Sequence, residues 1–211
     1  MILGPANILD CPFCGGKKEV MSLASGNTFG ATVWSDTRRD YPMLPEVSPI
    51  QKCPHCHKYY FVEQARSEYS KTDKSFELGK LTYHELLEAY CQFSELSLTK
   101  IQRWILNHEI FLAYNDSFRR TPDILESPSK EDEILYAQII EELLEGIDLS
   151  TDFELFHAEL LREISRFEEA RAVLLHHKLD EDQWVVDAMI RHIEVGDAEP
   201  FLLVKDGEQQ F

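Results

Sequence analysis

The sequence predicts an α+β protein, in which a small β-rich unit at the N-terminus is followed by an all-α domain. Three observations predict it. Two Cys-Pro-x-Cys pairs, Cys11/Cys14 and Cys53/Cys56, lie in a stretch punctuated by Gly and Pro. That stretch also holds short β-prone pieces, "TFGATVW" and "HKYYFVE". From about Ser67 onward, apolar residues recur at helical spacing behind repeated helix-start signals. The expected units are residues 1–65 and 66–211.

Composition sets the bounds. The chain has 211 residues, 44% apolar and 28% charged, enough for one sizeable core or two small domains. No run of about 18 apolar residues suggests a membrane span. The opening "MILGPANILDCPFC" has neither a basic n-region nor a long apolar segment, so the expected location is cytoplasmic. Five cysteines, four of them before residue 57, suit a reducing compartment in which paired Cys bind metal or do redox work. The net charge is −17, yet residues 1–63 carry six Lys/Arg and six Asp/Glu, so all the excess lies further on. An acidic body with no basic stripe repels phosphate, which makes nucleic acid an unlikely partner.

Within the first unit, Trp34 is expected to pack a small core, with Ser35 or Asp36 capping a turn; a polar pocket with an aromatic wall is the alternative. "PMLPEVSP" reads as an extended strap. Helices are expected at about 82–94, 98–115, 129–145, 151–164, 166–177 and 181–195, stopped by Gly196. Capping boxes are expected at Thr82 with Glu85, Thr151 with Glu154, Ser165 with Glu168, and Asp180 with Gln183. The acidic runs 131–133 and 180–182 suit helix N-termini, and Cys91 reads as a small buried hydrophobe. His84, His108, His157 and the adjacent His176–His177 offer no metal-binding spacing. No phosphate loop, nucleophile elbow or dinucleotide fingerprint is present, so no catalytic residue is assigned.

"CPHCHKYY", from Cys53 to Tyr60, fits c-type haem attachment, a thioredoxin-type dithiol or half of a zinc site. "CPFCGGKKEV" at Cys11 shares its pattern and favours zinc, because two thiolates can converge on one ion at ~2.3 Å when the chain between them turns tightly. Pro presets φ, and a small residue after the second Cys, here Gly15, suits a left-handed position. Haem attachment leaves the first pair unexplained. A thioredoxin dithiol opens a helix, whereas strand-like sequence follows Cys56. Four sulfurs, Cys11, Cys14, Cys53 and Cys56, make a closed, structural Zn²⁺ site. The gap of 38 residues between Cys14 and Cys53 is about twice the usual ribbon spacing and requires an insert. His57 stands where Gly is usual and is a ligand, a hydrogen-bond partner of a sulfur, or a bystander.

"FELFHAELLREISRFEEARAVL", Phe153 to Leu174, resembles a tetratricopeptide helix pair, with Ala158 and Leu161 on one helix and Ala170 and Leu174 on the next. Thirty-one residues beyond Ser165, Gly196-Asp197 stands at the equivalent turn, and Pro200 would begin a degenerate second helix. An ordinary helical bundle is the alternative. Cys11, Cys14, Trp34-Ser35-Asp36, Pro42-Met43-Leu44-Pro45, Cys53 and Cys56 together resemble bacterial proteins that pair a zinc ribbon with a tetratricopeptide-like helical C-terminal domain. That resemblance implies an architecture and no activity. The reading is therefore a zinc ribbon with an inserted loop ahead of an acidic helical domain, serving as a protein–protein interaction adaptor or scaffold. The alternative is a thiol-redox-responsive protein or enzyme using Cys53 and Cys56.

Overall fold

A computed structural model describes residues 1–45, 47–70, 79–119, 129–147, 153–177 and 180–204. It is mixed α+β, with short antiparallel strands followed by six helices among the described residues. The strands are β1 (Ile2–Leu3), β2 (Asn7–Asp10), β3 (Lys17–Val20), β4 (Leu23–Ser25), β5 (Thr32–Val33), β6 (Arg39–Asp40), β7 (Ile50–Lys52), β8 (Tyr59–Phe61) and β9 (Arg66–Tyr69). The helices are α1 (Tyr83–Ser94), α2 (Lys100–Asn115), α3 (Lys130–Gly146), α4 (Glu154–Glu163), α5 (Phe167–His176) and α6 (Gln183–Glu194). All six expected helices form, each within a few residues of its expected ends.

Contacts group the chain into two compact units. One comprises Met1–Ala31 and Asp40–Leu106, the other Thr32–Arg39 and Asn107–Phe211. This grouping differs from a division at 65/66 in two ways. Helix α1 and the first half of α2 belong with the strands, and the segment Thr32–Arg39 belongs with the later helices.

In the first unit, β2 is the centre of a three-stranded sheet ordered β3-β2-β9, and β7 pairs with β8 in a separate two-stranded sheet. The register runs Asn7↔Val20 to Asp10↔Lys17 on one side of β2 and Asn7↔Tyr69 to Asp10↔Arg66 on the other. Alternation turns Leu9 inward, where it is fully buried. Helix α1 begins at the expected capping box: the Glu85 N–H donates to Thr82 Oγ1 (3.3 Å), and the Thr82 N–H donates to the Glu85 carboxylate (3.1 Å). Its buried stripe is Leu86, Ala89 and Phe93, with Phe93 stacked on Phe61 of β8 at 4.9 Å. The Gln92 carboxamide accepts from the Tyr59 N–H (2.9 Å) and donates to its carbonyl (2.8 Å), covering an edge that would otherwise be open. Lys52 reaches Glu85 and Glu88, both at 3.3 Å.

Several expectations are corrected here. Cys91 is exposed, because the stripe through Ala89 and Phe93 turns residue 91 to the opposite side of α1. The proline-rich strap begins as a turn, closed by the Leu44 N–H donating to the Tyr41 carbonyl (3.0 Å). Thr151 lies outside the described residues.

In the second unit, α3 starts at a box that the sequence reading passed over, Ser129 with Asp132, and buries Tyr136, Ile139, Ile140 and Leu143. Helices α4, α5 and α6 share a core of Ala158, Leu161, Ala170, Leu174, Val185, Val186, Met189 and Ile193. Ser165 does not cap α5. It sits at φ 61, with its N–H on Arg162 O (2.9 Å) and the Arg166 N–H on Leu161 O (2.8 Å), the Schellman pattern that ends α4. Gly196 at φ 69 ends α6 identically: its N–H reaches Ile193 O, and that of Asp197 reaches His192 O, both at 3.0 Å. The two turns 31 residues apart are thus equivalent. Asp182 is the N-cap of α6 without a side-chain cap, and Gln183 donates to Asp187. No helix begins among the described residues after Pro200, 201–204. Instead Leu202 bridges Trp34 in an antiparallel pairing, and the Leu203 N–H donates to Val33 O (2.8 Å).

Candidate metal centre

The two Cys-Pro-x-Cys pairs occupy the turns of two hairpins, β2–β3 and β7–β8, and they are built alike. In the first, the Cys11 N–H donates to Gly16 O (2.9 Å) and the Gly15 N–H to Cys11 O (2.9 Å). In the second, the Cys53 N–H donates to Lys58 O (2.9 Å) and the His57 N–H to Cys53 O (3.0 Å). Gly15 and His57 hold the same left-handed position, at φ 69 and φ 59. Left-handed backbone costs a residue with a side chain ~1 kcal/mol, which the surrounding hairpin must offset. The His57 side chain is exposed and stands outside the sulfur cluster, so its role here is conformational.

The four cysteine sulfurs lie within 4.8 Å of one another. Across the pairs, Cys11 Sγ to Cys56 Sγ and Cys14 Sγ to Cys53 Sγ are both 3.7 Å. A tetrahedral ion bonded to sulfur at ~2.3 Å requires sulfurs ~3.8 Å apart, so the set fits a four-thiolate site. A disulfide would need ~2.05 Å, and all five cysteines are free. Backbone N–H groups point at the sulfurs, from Phe13 to Cys11, from His55 to Cys53 and from Gly16 to Cys14, each at 3.4 Å. Such donors favour thiolate over thiol.

Burial divides the four cysteines. Cys11 and Cys53 are buried, Cys56 is half-buried and Cys14 is exposed. Burial pushes the Cys53 thiol up, but the N–H groups of Cys56 and His55 outweigh it and bring it down to about 6. Gly16 N–H works to lower Cys14, but the neighbouring sulfurs, Cys56 first, prevail and push it up to about 12. Tyr60, fully buried, packs against Cys11 and Cys53, and its phenol is held up to about 12 by burial and then by the cysteines. The hairpins are also tied by His55 Nε2 at 3.2 Å from Lys17 O and by Lys18 Nζ donating to Lys52 O (3.2 Å). Beside the first pair, a cavity of about 370 Å³ is lined by Pro12, Phe13, Phe93, Leu96, Leu98 and Gln102 among others. Strand β8, and not a helix, directly follows Cys56, so the thioredoxin arrangement is not what this pair adopts.

Trp34, Ser35 and Asp36 are elsewhere than expected. They pack within the second unit and not in a ribbon core. Asp36 does cap its turn, accepting from the Arg38 N–H (3.1 Å), but its other oxygen pairs with buried Arg119. Asn115 donates to Asp36 (3.1 Å) and to both oxygens of Glu163 (3.1 and 2.9 Å), and the Tyr136 hydroxyl meets Asn115 Oδ1 (2.8 Å) and Glu163. Arg119 also lies 5.3 Å from the Trp34 ring. Burial first, and then Glu159 and Asp36, pushes the Glu163 carboxyl well above the usual carboxylate range. Next to it on α4, fully buried Arg162 forks onto fully buried Glu159 at 2.8 and 2.7 Å. Sequence reasoning passed over this network. Its signal was the polar set Glu159, Arg162 and Glu163 flanking the apolar positions of α4. No protein-family model, no curated protein and no solved structure matches this chain.

Proposed function

We propose that Cys11, Cys14, Cys53 and Cys56 hold one structural Zn²⁺ and that the chain serves as a protein–protein interaction adaptor or scaffold. The observation that carries the metal reading is the pair of turns with the same hydrogen bonds and the same left-handed position, whose sulfurs approach to 3.7 Å across the pairs. Thiolates are soft ligands that suit Zn²⁺, and four of them leave no open position for substrate. When bound, such an ion contributes ~10–16 kcal/mol of folding free energy, more than a loop-rich unit of this size gains from its own core.

The adaptor reading rests on what the helical unit offers. Its residues carry eleven Lys/Arg against twenty-seven Asp/Glu, while the unit with the cysteines carries ten against eleven. The acidic surface suits a basic polypeptide partner, and the equivalent turns at Ser165 and Gly196 support a tetratricopeptide-like arrangement of α4 to α6. Burial of Cys53 inside a hairpin favours metal over the redox alternative.

Native mass spectrometry tests the centre: one zinc per chain is expected. Thiol titration should find Cys91 reactive at once and the other four after a chelator is added. Four reactive thiols with no bound metal would sink the reading. A pull-down with the full chain, repeated at rising salt, tests the charge-driven partner.

A further inference from the structure

The chain between the two cysteine pairs does not stay in the unit that the cysteines build. It leaves after Ala31, contributes Thr32–Arg39 to the helical unit, and returns at Asp40. In the helical unit this segment is held by both backbone and side chain. Ser35 N–H donates to Phe201 O (2.9 Å), Phe201 N–H donates to Ser35 Oγ (3.0 Å), and Leu203 N–H donates to Val33 O (2.8 Å). Asp36, fully buried, pairs with Arg119 and accepts from Asn115. The segment therefore helps to satisfy the interior of the helical unit: Asp36 takes one terminal nitrogen of buried Arg119, and Asp116 of the unit itself takes the other.

The segment's two ends are tied at Cys14 and Cys53, which sit on separate sheets. Apart from the sulfurs, the ties described between those hairpins include Tyr60 packing, the bonds His55 to Lys17 and Lys18 to Lys52, and Lys58 Nζ 5.0 Å from the Phe13 ring. We propose that the metal centre is a clasp on the helical unit: ligation by the four cysteines closes the 38-residue loop and keeps Val33–Asp36 in its seat against Phe201–Leu203 and Arg119. A closed loop meets its seat with little further entropy cost, whereas an open one loses chain freedom each time it docks. Occupancy of the cysteines is thereby linked to order in a unit that holds none of them. The inference rests on the metal reading above.

Hydrogen exchange on the full chain, zinc-loaded and chelator-stripped, tests it. Stripping should speed exchange at the Ser35, Phe201 and Leu203 amides by about tenfold or more. Unchanged exchange at those amides, with zinc demonstrably removed, overturns the clasp and leaves the metal reading intact. Failure to take up zinc overturns the metal reading and the clasp with it. Linkage is reciprocal, so Ser35→Ala, which loosens the seat, should weaken zinc retention against a chelator by roughly threefold to tenfold. Retention equal to that of the unsubstituted protein would overturn the clasp even if the stripped protein unfolds as a whole.

Discussion

Replacing Arg162 with Met should be among the costliest single changes in the helical unit. The guanidinium is fully buried and every arm of its fork is used: Nε donates to Glu159 (2.8 Å), Nη2 to Glu159 (2.7 Å) and to the Glu199 carbonyl (2.9 Å), and Nη1 to the Asp197 carbonyl (2.6 Å). It also lies 5.0 Å from the Phe201 ring. Burial works against its charge, and the Glu159 carboxylate outweighs burial. Met fills similar volume, so the loss is electrostatic: Glu159 is left as a fully buried anion without its cation. Breaking one side of a buried pair costs about 3–5 kcal/mol. At about 2–4 °C per kcal/mol for a chain of this size, the expected fall in melting temperature is about 6–20 °C. Calorimetry on the zinc-loaded protein reads it. Arg162→Lys keeps a charge but loses the fork, and should fall between the two. The double variant Glu159→Leu with Arg162→Met removes both charges and should recover at least half the loss. A single variant that melts within about 2 °C of the parent, or a double variant less stable than the single, would refute the reasoning.

Three further outcomes are expected. His57→Gly should keep one zinc per chain and gain up to about 1 kcal/mol, since Gly adopts φ 59 without penalty; loss of zinc in native mass spectrometry would restore His57 as a ligand. For Glu163 the folded value lies above the unfolded 4.5, so its contribution is complete below that pH and is lost as pH rises towards the folded value. Glu163→Gln should therefore gain on the parent as pH rises above 4.5 in denaturant melts, and a pH-independent difference would contradict the raised carboxyl. His108 is brought down to about 4, by burial first and then by the Arg38 charge. Its contribution is present above the unfolded 6.5 and is lost as pH falls towards 4, by about 3 kcal/mol, and His108→Leu should abolish that part of the acid slope.

What could be read from the sequence was what is encoded locally. Cys-Pro-x-Cys with Gly15 specifies a turn within six residues, and Thr82 with Glu85 specifies a helix start within four. The short strands were hidden because their pattern is weak: Arg66–Tyr69 is exposed along its whole length and is a strand through its pairing with β2. Ser165 misled because Ser-x-x-Glu is a capping signal at one backbone conformation, while φ 61 makes the same serine a helix stop. Cys91 misled because an apolar neighbourhood in sequence is not a face in space. The equivalence of Gly15 and His57 shows that backbone position, not residue type, repeats between the two hairpins.

The spacing between the cysteine pairs carried more information than its length suggested. A ribbon of ordinary size needs about half of those 38 residues, and the surplus invited a reading as an extra loop on the ribbon itself. Trp34, Ser35 and Asp36 gave no local sign of another destination, because their partners Arg119, Asn115 and Phe201 stand at least 79 positions away in the chain. A buried aspartate, however, needs a cation, and residues 1–65 hold few arginines: Arg38 and Arg39 adjoin it and cannot enclose it. The counter-ion of a buried Asp36 must therefore lie outside residues 1–65, and Arg119 beyond the end of α2 supplies it. The long gap is then not an embellishment of the cysteine-bearing unit: Thr32–Arg39 within it packs with the helical unit.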